Sequence, residues 1–182
     1  MKKKMMYLLL LLSIVSFPFS SLADTPKLEG PYLVTTCGQS PGAVMVRMSA
    51  LQPGVQAEHN NTLSASDLSG KDVKTLIVTT GTSMKGMGAA GTNVDKEIAR
   101  CSELIAAAKS AGIVVVGAHV EGMARRTDSS DEASIEAVMK DADVLLVIDD
   151  SDSDGFFTEY ARKHEKPLIK IKDALAIGPV LK

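Results

Sequence analysis

The sequence predicts an α/β fold: a three-layer open sandwich with a mostly parallel sheet of five to six strands, Rossmann-like or flavodoxin-like. Three observations carry that expectation. Short apolar, β-branched runs recur at Thr75–Thr79, Ile113–Ala118 and Val144–Ile148, each continuous rather than alternating, as strands covered on both faces should be. Between them lie stretches with helical periodicity, the clearest at Asn93–Ser110. Strand and helix alternate along the whole chain, which makes βαβ units with right-handed crossovers the economical solution.

The chain opens with Lys2, Lys3 and Lys4 ahead of an apolar run from Met5 to about Val15. Ser21 and Ala23 then occupy the −3 and −1 places of a small-residue cleavage site, so residues 1–23 read as a secretory signal peptide. The run falls short of the ~20 apolar residues that a membrane span needs and contains Ser13, Ser16 and Pro18, so stable membrane insertion after cleavage is not expected. Residues 24–182 then form a single α/β domain. Removing the three leader lysines from 20 basic residues leaves 17 against 22 acidic ones, a net charge of −5. With no long basic run, 4% aromatic residues and no Trp, nucleic acid is not an expected partner.

Tyr32–Thr36 is a short first strand. Ser40 is placed to cap, and Pro41 to start, a helix running to Leu51, which Gln52-Pro53-Gly54 ends. A weak second strand near Val55–Glu58 precedes a polar connection, His59–Asp72. The third strand, Thr75–Thr79, runs into a Gly/Ser/Thr loop, and the helix Asn93–Ser110 stops at Gly112. After the strand Ile113–Ala118 come a loop from His119 to Ser130 and a helix from about Asp131 to Lys140. Strand Val144–Ile148, helix Gly155–His164, edge strand Leu168–Ile171 and a short tail, Ala174–Val180, complete the chain. The weakness of the second strand suits an outside position, giving the order 2-1-3-4-5 with the last strand at the other edge.

In such sheets ligands bind beyond the C-terminal strand ends. There the sequence offers Gln39 and Ser40 after the first strand, Thr82, Ser83 and Lys85 after the third, and Arg125 and Arg126 after the fourth. Hydroxyls, amides and cations at helix starts suit a small anion such as a carboxylate or phosphate. Ser, Thr and Gly after strands are also ordinary turn and cap residues.

The same region contains G-x-G-x-x-G as Gly86, Gly88 and Gly91. A dinucleotide turn begins almost at the end of the first strand and is followed ~20 residues later by an acid. Here the glycines come late, after the third strand, and the corresponding later region is helix interior. An exported protein also lacks a nicotinamide pool. No Gly-Lys-Ser/Thr is present for a P-loop.

Asp150, Asp152 and Asp154, followed by Gly155, match the first half of a calcium loop. The bidentate Glu expected at loop position twelve is replaced by Ala161, so calcium competes with a solvated turn in which Asp152 or Asp154 caps the next helix. His119 and Glu121 are the candidate catalytic pair for proton transfer, but no G-x-S-x-G elbow accompanies them. Cys101 lies on the apolar stripe with Val94, Ile98, Leu104, Ile105 and Ala108, which favours a core role. An oxidising compartment would also permit a bridge to Cys37. Cys37 has no sequence neighbour that would supply a cation to activate it.

Four blocks together, Gly38-Gln39-Ser40-Pro41, Lys85 to Gly91, Ala124-Arg125-Arg126 and Asp154-Gly155-Phe156-Phe157, resemble a family of short exported bacterial α/β proteins of unassigned function. The resemblance spans nearly all of residues 24–182. It implies one exported domain with these loops in place, and supplies no activity and no catalytic residues. The family's first block often continues Gln-Ser-Pro-Asp, whereas Gly42 follows Pro41 here.

The expected function is therefore an exported binding protein for a small anionic molecule, acting as an accessory to a membrane transporter. Alternatives are an exported hydrolase or transferase using the same crevice, and a partner-binding module of a membrane protein.

Overall fold

A computed structural model describes residues 27–182; the leader expected over residues 1–23 lies outside the described residues. Six strands form one wholly parallel sheet: β1 (Tyr32–Cys37), β2 (Ala57–His59), β3 (Thr75–Thr80), β4 (Val114–His119), β5 (Val144–Ile148) and β6 (Leu168–Ile171). Their order is β2-β1-β3-β4-β5-β6, so the short β2 and the half-buried β6 are the edges.

The continuous apolar runs are split by the two-residue strand period into two cores. Leu33, Leu76, Val78, Val115, Leu145 and Val147 face one cluster, and Val34, Ile77, Val116, Val144 and Leu146 face the other. On the first face pack α3 (Val94–Ser110), α4 (Ser129–Met139) and α5 (Phe156–Lys163), contributing Cys101, Leu104, Ile135, Val138 and Phe157. On the second face pack α1 (Gly42–Leu51) and α6 (Ile177–Leu181), through Ala43, Val46, Ile177 and Leu181. Each fully buried Leu or Ile in these layers contributes about 1.5–3 kcal/mol. Among the described residues, no helix is long and apolar enough to cross a membrane.

Gly117 makes one of these contacts possible. A Cβ there would lie 2.8 Å from the Met139 sulfur and 3.0 Å from Ala142, so the missing side chain lets α4 settle on β4.

Three local expectations change. The long loop after β3 contains a helix of its own, α2 (Met84–Ala90), capped by Ser83 and ended by Gly91 at φ 65°. The helix after β1 has Pro41, not Ser40, at its N-cap, and the tail ends in a helix packed on α1. Asn93 and Asp128 cap α3 and α4 through their side chains.

The strand pairing aligns the C-terminal ends: Cys37 sits opposite Thr80, and His119 opposite Val147. The loops after β1, β3, β4 and β5 consequently gather at one end.

Candidate functional site

At the switch between β1 and β3, the two loops pair with each other. Gln39 and Thr82 form an antiparallel bridge, and Ser83 N donates to Gly38 O at 2.8 Å. Gly38 has φ 122°, and a Cβ there would lie 2.6 Å from Gly81 O; a Cβ on Gly86 would collide with Gln39 O. The two loops expected to cradle an anion close on each other through their backbones. Gln39 itself holds φ 58°, a left-handed conformation that costs on the order of 1 kcal/mol or more in a non-glycine residue.

The candidate donors here serve the protein. Gln39 Nε2 donates to Asn61 O and to Glu97 Oε2, each at 3.0 Å. The buried Ser40 hydroxyl bonds Thr36 Oγ1 at 3.3 Å rather than capping α1. Thr82 donates both its N–H and its hydroxyl to Asp131 Oδ1 at 2.8 Å, and Ser83 Oγ accepts from Gly86 N. Lys85 is exposed, with no hydrogen bond or ion pair among the described residues. The structure thus brings Gln39, Thr82, Ser83 and Arg125 together, but into one hydrogen-bonded knot.

Arg125 donates to Glu121 Oε2 at 3.0 Å and to Thr82 O at 2.8 Å. Glu121 Oε1 in turn accepts from Gly42 N at 2.8 Å, so a carboxylate from another loop satisfies the N-terminus of α1. Arg126 points toward the loop after β5, where it pairs with Asp154 at 2.8 Å, donates to Ser151 O and lies 4.3 Å over the Phe156 ring.

His119 and Glu121 are not a proton-transfer pair in this arrangement. His119 is fully buried, with Nε2 3.2 Å from Gly122 O and Nδ1 2.8 Å from Thr80 Oγ1. A carbonyl can only accept, so Nε2 carries the hydrogen; in the neutral ring Nδ1 accepts from the Thr80 hydroxyl, which also lies 3.2 Å from Ala118 O. Burial drives the ring's pKa from 6.5 to about 4, which keeps it neutral.

The acidic turn is engaged by protein partners. Asp150 accepts from Met123 N at 3.0 Å, and Asp154 is held by Arg126 and Phe156 N. Asp152 is buried and accepts from Phe157 N at 2.7 Å, Thr158 N at 3.1 Å, the Thr158 hydroxyl and Lys170 Nζ. Two of the three therefore cap α5, and among the described residues no group of three such side chains is arranged for a metal.

Sequence reasoning missed the ion pair beneath the first loop. Glu97 Oε2 accepts from Arg100 at 2.7 Å, from Gly38 N at 3.2 Å and from Gln39, while Arg100 also donates to Thr36 O and Leu63 O. The available signal was an acid at position 97, inside the arc spanned by Val94, Ile98 and Cys101.

A different concavity stays open. A groove of about 810 Å³ runs along edge strand β2, between α1 and the segment before β3. Arg47, Leu51, Gln56, Glu58, His59 and Lys71 line it, with Lys71 bridged to Glu58 at 2.9 Å. Arg47 is half-buried, and its guanidinium has no hydrogen bond or ion pair among the described residues. The other four arginines, Arg100, Arg125, Arg126 and Arg162, each pair with a carboxylate.

A family model described as a domain of unknown function, DUF6305, matches residues 29–182. No curated protein matches the chain. A solved structure of a candidate acylhydrolase from Bacteroides fragilis is similar at 9% identity and a TM-score of 0.36, covering 82% of this chain and 72% of its own. That degree of likeness says nothing about activity.

Proposed function

The chain belongs to the DUF6305 family, a domain of unknown function, and we propose that it is an exported binding protein for a small anionic solute, held at Arg47 in the groove beside β2. Export rests on the leader read from residues 1–23. The observation that carries the site is the contrast among the arginines: four are paired with carboxylates, and Arg47 lines a groove with no ion pair of its own among the described residues, although Glu58 and Asp72 line the same groove. A partly desolvated guanidinium gains from an anion, and its planar fork fits a carboxylate or phosphate through two parallel hydrogen bonds. His59 adds a ring nitrogen along the same groove, while Lys71 is bridged to Glu58 and Asp72 adds a second acid, which favours a solute of low charge. The strand-end loops are a poorer seat, because their donors other than the exposed Lys85 already have partners.

Thermal melts of the mature protein against dicarboxylates, phosphate and sulfonates test this reading. Binding at ~100 times Kd stabilises by about 2.7 kcal/mol. The stabilisation is expected to vanish in Arg47→Ala and persist in Lys85→Ala; the reverse pattern would return the site to the strand ends.

A second reading, docking onto a membrane transporter, is favoured by an exposed apolar stripe on α1, Val44, Met48 and Leu51, beside the exposed Leu175. Its test is co-purification with membrane proteins that is lost on Met48→Glu with anion binding intact.

A further inference from the structure

Two thiols that the sequence leaves 64 positions apart meet inside the first core. Cys37 ends β1, and Cys101 sits in the second turn of α3. Both are fully buried and free in the same core cluster, and Cys101 Sγ lies 3.7 Å from Thr36 O on the residue before Cys37. Cys37 is further fixed by Ser134, whose hydroxyl donates to its carbonyl. These contacts place both thiols at the seam where the end of β1 packs on α3.

We propose that Cys37 and Cys101 are a native disulfide site, closed under oxidising conditions to staple the end of β1 to α3. One thiolate of the pair displaces a thiolate from a disulfide-bearing oxidant and forms a mixed disulfide; the second cysteine, losing its proton, attacks the sulfur already bound and expels the other thiolate. The protein loses two electrons and two protons, and the oxidant's disulfide is reduced to two thiols. Because both sulfurs are buried, the exchange belongs to folding or to an opening of α3 away from β1. With only two cysteines in the chain, no other intramolecular pairing competes.

The test is refolding of the full chain with oxidised glutathione, followed by alkylation in denaturant and mass analysis. The expected product is monomeric, unalkylated and two hydrogens lighter, yields a Cys37–Cys101 linked peptide, and melts above the dithiothreitol-reduced form. In either serine variant the remaining thiol lacks its intramolecular partner, so glutathione should accumulate on it. Full alkylation of both cysteines after oxidative refolding, disulfide-linked dimers as the sole oxidised product, or an oxidised monomer melting below the reduced one would each overturn the proposal. The wild-type arm decides the matter even where a serine variant fails to fold.

Discussion

Glu97 and Arg100, one turn apart on α3, form a buried ion pair at 2.7 Å that also grips the loop leaving β1: Glu97 accepts from Gly38 N, and Arg100 donates to Thr36 O at 2.6 Å. The helix thus fixes the conformation of the switch loop that packs against it. Removing one partner leaves a desolvated charge behind. Glu97→Ala is expected to destabilise by about 3–5 kcal/mol in urea unfolding; a loss under about 1 kcal/mol would mean that water replaces the pair.

Two of the motif glycines, Gly86 and Gly88, should separate by mutation. A Cβ on Gly86 meets Gln39 O, whereas one on Gly88 meets nothing within 4 Å, and Gly88 lies inside α2. Gly86→Ala is expected to cost about 1–3 kcal/mol through overpacking. Gly88→Ala should be neutral or stabilise by up to about 1 kcal/mol through helix propensity. Equal effects would show that the loop contact is not rigid.

His119 sets a pH dependence. Its folded pKa of about 4 lies below the unfolded 6.5, so between those values the unfolded chain binds a proton that the native ring refuses. Stability contributed by the neutral ring is full above pH 6.5 and falls as pH drops toward 4, by about 3 kcal/mol in all. His119→Gln should flatten that slope in chemical melts between pH 4 and 6.5; an unchanged slope would assign it to other groups.

Asp131 acts lower on the scale. Burial raises its pKa, but hydrogen bonds from Thr127 N, Thr82 N and the two hydroxyls together hold it below the usual carboxylate range. Its contribution is present above about pH 4 and is lost as pH falls through the depressed value. Asp131→Asn should lower neutral-pH stability by about 1–3 kcal/mol while reducing the acid-induced loss, read by comparing melts at pH 7 and pH 3.

Arg47 should separate binding from stability. Because its guanidinium has no partner among the described residues, Arg47→Met is expected to leave unliganded stability within about 0.5 kcal/mol of wild type while removing the anion-induced shift. A strongly destabilised variant would instead make Arg47 part of the scaffold.

The fold class was legible because apolar runs such as Thr75–Thr79 and the α3 stripe are local patterns, and the sheet follows from their alternation. The candidate strand-end residues were also placed at the right end of the sheet, since position after a strand is a property of chain order. What they do there was not legible. Ser40, Thr82, Arg125 and Asp152 read alike as donors or ligands in sequence, and only their partners, Thr36, Asp131, Glu121 and Lys170, show them engaged. The α2 helix escaped because Gly86 and Gly88 weaken its local signal, and its packing against Gln39 is a long-range contact. By itself the sequence determined the α/β class and the alternation of strands with helices, because hydrophobic period acts locally. Tertiary structure alone decided the strand order, which charges are neutralised, which thiols share a core and which groove stays open, because those depend on residues brought together from distant elements.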